Sequence, residues 1–229
     1  MVTIKHLAII PDGNRRWAKV KGLPLWQGHI KASKNIPEII KGAFALGINS
    51  VTIWGGSYDN LTKRAPKEIE VLNRIYSFLS ARFLKSRDVR DGKVRLRILG
   101  EWKKLLKDKT KEDLIRAETA TKKNGPYNLT LLIGYNGDRE MVKAINKLVR
   151  AGSKIDEEDI KRAIWTKDLL PVDLIIRTGG EPHLSAGFMM WDVRYAQLYF
   201  TEKLWPDFDV KDLKEAVGCY EGRERRQGK

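Results

Sequence analysis

The chain has 229 residues, 42% hydrophobic and 32% charged, which suits a folded globular protein with a sizeable core and excludes a disordered one. A single cysteine, Cys219, excludes an internal disulfide framework and fits a reducing, cytoplasmic setting; with only three histidines beside it, a dense metal cluster is excluded too. The formal net charge of +15 points to anionic partners: nucleic acid, an anionic membrane surface or anionic substrates. Nucleic acid is not the expectation, because no helix-turn-helix, zinc-finger or RNA-recognition pattern occurs. The lysines are also mixed with acids, as in Lys107-Asp-Lys-Thr-Lys-Glu-Asp113. No apolar run is long enough to span a bilayer. A secretory leader is not expected either, since only four apolar residues separate His6 from Pro11.

The first expected strand covers residues 4–10, and its apolar run Leu7–Ile10 has the β-branched content of a buried strand. It stops at Pro11-Asp12-Gly13-Asn14, a turn, because proline lacks an N–H and glycine tolerates positive φ. Arg15, Arg16 and Trp17 follow. One carboxylate, a pliant backbone and two guanidinium groups thus sit just past a strand's C-terminal end, where open α/β sheets place their ligands. The chemistry suits a magnesium-bound phosphate ester. Asp12 suits a hard cation, the Gly13 and Asn14 amides suit phosphate oxygens, and Arg15 and Arg16 suit forked contacts to phosphate.

A loop is expected over residues 22–28 and a helix over 29–46 that ends at Gly47, with Ile36, Ile39, Ile40 and Phe44 at helical spacing. His29 would then lie in a first helical turn, where a phosphate meets helix N–H groups. The second strand, 50–55, runs into Ser57 and a polar loop to Pro66 that offers Ser57, Asn60, Lys63 and Arg64. Pro66 opens a helix to about residue 87, with an apolar stripe of Ile69, Leu72, Ile75, Tyr76, Leu79 and Phe83. Further strands are expected at 94–99, 128–133, 172–177 and 197–200. Between them lie a charged helical region, 101–126, and helices at 139–149 and 157–165, with Trp102 packing under the third strand.

Most strand segments are continuous apolar runs separated by lengths that suit crossover helices. One α/β domain over 1–229, with a mostly parallel sheet of about six strands flanked by helices, follows. Arg177 ends the fifth strand and Thr178-Gly-Gly-Glu181 follows at once, so Arg177 is expected in the same crevice as Asp12, with Ser185 a short step beyond.

The segment from Ile4 to Trp17 resembles the signature of the cis-prenyltransferases, the undecaprenyl diphosphate synthase family. Arg177-Thr-Gly-Gly-Glu181 resembles a second family motif, and the stretch from Trp191 to Asp207 a third. Arg226-x-Gly228 in the tail resembles a fourth. The motifs occur in family order over nearly the whole chain.

The resemblance implies Mg2+-dependent condensation of isopentenyl diphosphate with an allylic prenyl diphosphate, and an apolar tunnel for the product. It implies that Asp12 holds magnesium and that Gly13, Asn14, Arg15, Arg16 and His29 cradle the allylic diphosphate. Ser57 and Asn60 stand by the reacting carbons, with Asp12 and Asn60 as the catalytic pair. Arg177, Ser185 and Arg226 grip the second diphosphate, and Trp17, Lys63, Arg64 and His183 complete the substrate set. It also implies a homodimer reached across by the tail, with peripheral membrane contact for a greasy product. Three positions depart from the pattern: Leu25 and His183 stand where the family has arginines, and Gln197 where it has an acidic magnesium ligand. Those departures keep two alternatives in view, prenyl transfer to an acceptor such as an alcohol and a non-catalytic subunit.

Overall fold

The computed structural model describes residues 4–150 and 154–222. In chain order the elements are β1 (His6–Ile10), α1 (Asn14–Val20), α2 (Leu25–Ser33), α3 (Ile36–Ala45), β2 (Ser50–Gly56) and α4 (Tyr58–Lys63). Then come α5 (Pro66–Leu84), α6 (Arg87–Arg90), β3 (Val94–Leu99), α7 (Trp102–Leu105), α8 (Asp108–Ala120) and β4 (Tyr127–Ile133). The last are α9 (Gly137–Val149), α10 (Glu157–Ala163), β5 (Leu174–Arg177), β6 (Gln197–Phe200), a 3-10 turn at Trp205–Asp207 and α11 (Val210–Glu221).

The six strands form one sheet in the order β3-β4-β2-β1-β5-β6, with every pair parallel. β1 and its neighbours are buried on both faces, which is why their sequences read as unbroken apolar runs. Alternate residues supply two cores. Leu7 and Ile9 of β1 join the larger one, while Ala8 and Ile10 join the smaller core on the opposite face. Strand β3 is an edge; its alternation places Val94, Leu96 and Ile98 inward and leaves Arg95 and Arg97 half-buried. Trp102 is buried beneath β3 and donates its indole N–H to the Ile98 carbonyl at 3.1 Å, as expected from the sequence.

Two expectations need correction. The helix expected over 29–46 begins earlier, at Leu25 within the loop expected over 22–28, and is two helices, α2 and α3, separated by Lys34 and Asn35. Asn35 holds the break: its amide lies 3.0–3.1 Å from the carbonyl oxygens of Trp205, Pro206 and Phe208. Pro37 suits the first turn of a new helix. The polar loop expected before Pro66 contains α4, a short helix that Ser57 caps through a capping box with Asn60.

Crossing from β1 to β2 takes the chain one way along the sheet, and β5 lies on the other side of β1. The β1–β5 junction is therefore the point where strand order reverses, and a crevice opens at the strands' C-terminal ends there. Ser57 and Thr178 follow directly on strand ends at this edge, and Asp12 and Asn136 lie two and three residues past theirs.

Candidate active site

The crevice is built around a carboxylate and a buried arginine. Ile10 and Arg177 are register partners on β1 and β5, so Asp12 rises beside Arg177. Arg177 Nη2 donates to Asp12 Oδ2 at 2.9 Å. Its Nη1 donates to Ser185 Oγ at 3.0 Å and to the His183 carbonyl, and its Nε is buried without a partner. An unspent donor on a buried guanidinium beside an open crevice is suited to an incoming oxyanion. Arg16 Nη2 stands 3.6 Å from Asp12 Oδ2, and its Nη1 3.4 Å from Glu181 Oε1.

The backbone around this pair is tightly held. Thr178 Oγ1 accepts from the Asp12 N–H at 2.9 Å and donates to the Asp12 carbonyl at 2.8 Å. Gly13 has φ +101° and its N–H donates to Asp12 Oδ1 at 2.6 Å. Gly179 has φ +90°, and a Cβ there would stand 2.7 Å from Arg16 Nη2. Both positions therefore need glycine, one for the turn and one for the close passage of Arg16.

A second cationic group lies beside Asn14. Glu68, in the first turn of α5 and 5% exposed, accepts from Arg64 Nη1 at 2.8 Å and pairs with His29 Nε2 at 2.8 Å; Arg15 Nε is 3.8 Å away. Burial alone would raise the Glu68 carboxyl, but the His29 hydrogen bond and the Arg64 charge outweigh it and hold it below the usual carboxylate range. His29 is the fifth residue of α2, not in its first turn, and it faces the first turn of α5 through Glu68 instead.

Below the crevice lies an apolar cavity of about 690 Å³. Its upper end is lined by Pro11, Asn14 and His29, its walls by Ile40, Phe44, Leu72, Ile75, Leu79, Leu131 and Ile133, and its far end by Lys41, Arg82, Lys85 and Arg87. Gly55 lies on its wall, where its carbonyl accepts from Tyr76 Oη at 2.9 Å.

The other residues singled out in the sequence fall as follows. Ser57 and Asn60 cap α4 at the crevice edge, with Asn60 N 3.0 Å from Ser57 Oγ. Lys63 is exposed and paired with Asp59 at 2.6 Å. Trp17 donates its indole N–H to Asp207 at 2.9 Å, pinning α1 to the 3-10 turn. The His183 side chain is 56% exposed and 3.9 Å from Glu181 Oε2; only its carbonyl faces Arg177. Arg226 lies outside the described residues.

Gln197 is a correction. It pairs in register with Leu174, at the opposite end of the strands from Asp12. Three strand residues and two strand spacings separate it from the end of β1, roughly 10 Å in each direction, too far for one ion to bridge it to Asp12. Glu68 and Thr178 are the site residues that sequence reasoning assigned no role. Thr178 sat unused within a quoted motif, and Glu68 read as an ordinary acid in a helix's first turn.

Among the described residues no group of three or more His, Cys, Asp or Glu side chains is placed to hold a metal. Asp12 alone still fits magnesium, which is often held by one carboxylate plus substrate phosphate oxygens and water.

An all-parallel sheet that gathers arginines around one aspartate over a large apolar cavity defines a protein suited to a ligand with an anionic head and a hydrocarbon tail. The family model for undecaprenyl diphosphate synthase matches residues 10–228. A Pyrococcus abyssi tritrans,polycis-undecaprenyl-diphosphate synthase (geranylgeranyl-diphosphate specific) is 34% identical, over 98% of this chain and 87% of that protein. An Aliivibrio fischeri ditrans,polycis-undecaprenyl-diphosphate synthase ((2E,6E)-farnesyl-diphosphate specific) is 36% identical, over 98% and 88%. The crystal structure of lavandulyl diphosphate synthase from Lavandula x intermedia, in complex with dimethylallyl diphosphate, superposes with a TM-score of 0.92 at 32% identity, covering 100% and 99% of the two chains. The chain belongs to the undecaprenyl diphosphate synthase family of prenyltransferases.

Proposed function

We propose that this protein is a cis-prenyltransferase that condenses isopentenyl diphosphate with an allylic prenyl diphosphate and depends on Mg2+. The observation that carries the reading is the 2.9 Å Asp12–Arg177 pair at the mouth of the apolar cavity of about 690 Å³. Gly13, Asn14, Arg15, Arg16 and His29 receive the allylic diphosphate, and Arg177 and Ser185 the second one. Asp12 contributes one ligand to magnesium, which, when bound, adds charge to neutralise the departing diphosphate. The arginines do the same from fixed positions, so little reorganisation is needed as charge develops on the leaving oxygens. The hydrocarbon enters the cavity, where each buried methylene contributes about 0.8 kcal/mol.

Relatives of similar identity carry names or ligands with geranylgeranyl, farnesyl and dimethylallyl diphosphates, so likeness selects no primer. Labelled isopentenyl diphosphate offered with each of the three primers, with magnesium or with EDTA, tests the activity. Magnesium-dependent lengthening of at least one primer supports the reading; no lengthening of any sinks it.

One observation favours a second reading. The His183 side chain pairs with Glu181 rather than facing Arg177, so the second diphosphate has one cation fewer than the family pattern supplies. Prenyl transfer to an acceptor without a diphosphate is then the alternative, and label appearing only in a product of a supplied alcohol would establish it. A non-catalytic subunit is disfavoured because Asp12, Arg16 and Arg177 are all present and converge. A homodimer is part of the proposal, supported by exposed Val142, Ile145 and Val149 on one side of α9. Peripheral contact with an anionic membrane is supported by the net charge of +15. No helix among the described residues is long and apolar enough to cross a membrane.

A further inference from the structure

We infer that Glu68 is the resident counter-ion of the allylic-diphosphate cradle, holding Arg15, Arg64 and His29 together while no diphosphate is bound and competing with it for the two arginines. The inference rests on the cis-prenyltransferase reading above.

Glu68 is the anion these three share. Its Oε1 takes Arg64 at 2.8 Å and His29 at 2.8 Å, and its Oε2 lies 3.8 Å from Arg15. A carboxylate this buried is costly unless cations surround it, and here they do. Its proton affinity is lowered despite burial, so it is ionised at neutral pH. The first turn of α5 adds the partial positive charge of a helix N-terminus.

The cluster adjoins the cavity mouth. Asn14 and His29 both line that mouth, and Arg15 follows Asn14 on α1. The three groups differ in how firmly they are tied. Arg64 and His29 are largely buried, whereas the Arg15 side chain is 53% exposed and only loosely paired. Arg15 is therefore the group that turns to an arriving diphosphate at least cost. While Glu68 keeps its charge it lowers the positive potential felt by any second anion nearby. A site that must release pyrophosphate in every cycle gains from such an internal competitor, because affinity without release does not raise turnover.

A purely structural role for Glu68 predicts that its loss loosens the cradle and weakens anion binding. The counter-ion role predicts the reverse for Glu68→Gln, which keeps shape and one acceptor but removes the charge. Inorganic pyrophosphate with magnesium, followed by calorimetry on the full chain, is the probe. Binding to E68Q is expected to tighten roughly fivefold or more, with KM for the allylic substrate and kcat both falling. Glu68→Asp, which keeps the charge, is expected not to tighten; should E68Q not fold, Glu68→Ala read against Glu68→Asp makes the same comparison. Unchanged or weaker binding by the neutral variant, or equal tightening by Glu68→Asp, overturns the counter-ion role alone. If the wild-type protein binds no pyrophosphate, the cis-prenyltransferase reading falls and this inference with it.

Discussion

Asp12→Asn separates charge from shape at the centre of the site. Asparagine keeps the side chain's outline, and the two Thr178 bonds to the residue 12 backbone do not depend on the carboxylate. What disappears is the negative charge 2.9 Å from Arg177 and 3.6 Å from Arg16. A hydrogen bond to a charged group contributes about 1.5–3 kcal/mol. The Asp12 side chain is 39% exposed, so solvent screens part of this and about 1 kcal/mol of stability is the expected loss. For a chain of this size that lowers the melting midpoint by about 2–4 °C. On the proposed role of Asp12 the catalytic loss is expected to be larger, because magnesium would lose its one protein carboxylate just where the leaving group gathers charge. Removing one such electrostatic partner costs about 10²–10³ in rate. Isopentenyl diphosphate incorporation at saturating magnesium gives the rate, and circular dichroism melting gives the stability. A folded D12N protein turning over within about tenfold of wild type would refute the role assigned to Asp12, because tenfold is only about 1.4 kcal/mol of barrier.

Gly179→Ala places a methyl group 2.7 Å from Arg16 Nη2 at φ +90°, so about 1–2 kcal/mol of backbone strain and a displaced Arg16 are expected. Steady-state kinetics should show at least a tenfold loss of kcat/KM, and unaltered kinetics would mean that Arg16 serves no substrate. Leu79→Trp narrows the cavity wall and is expected to shorten the main product while the first condensation slows less than about threefold; chromatography of labelled products reads both. Glu140 is buried, and burial raises its carboxyl above the usual range although Tyr135 and the Thr166 N–H donate to it. The native state therefore holds a proton that the unfolded chain gives up, and this stabilisation is present at low pH and fades as pH rises through the raised value. Glu140→Gln mimics the protonated form, so urea melts should show the variant gaining on wild type as pH rises above the usual carboxylate range. A constant difference would show that Glu140 is ionised in the native protein.

The strand ends were legible because a buried parallel strand announces itself as an apolar run, and a polar residue placed directly after it lies at the ligand edge. Arg177 closes β5 and Asp12 lies two residues past β1, and they meet at that edge. The segments 94–99 and 197–200 match β3 and β6 residue for residue. What the sequence hid depends on contacts between distant parts. Nothing local says that the Asn35 amide reaches the carbonyl oxygens of residues 205–208 at the break between α2 and α3, and nothing local moves the start of α2 back to Leu25, which places His29 a turn inside the helix. Gln197 was misplaced because motif order says nothing of which end of a strand a residue occupies, and only the register of β6 on β5 does. Glu68 escaped because an acid in a helix's first turn has a sufficient local reason to be there.

The same sheet keeps the two halves of an amphipathic ligand apart. Polar groups gather at the C-terminal edge, where strand ends and helix starts leave backbone amides and arginines facing the crevice. Apolar side chains fill the face toward α3 and α5, and the cavity lies there. A head group held at the edge therefore directs its tail along that face, and the chain can lengthen without disturbing the cations. The separation breaks down at the far end of the cavity, where Lys41, Arg82, Lys85 and Arg87 line the wall. A tail reaching those residues gains no further apolar burial, since each added methylene would lie against charged groups that keep their water. On the proposed reading growth is favourable only as far as the apolar lining runs, so the end of that lining, more than the chemistry at Asp12, is the expected limit on product length.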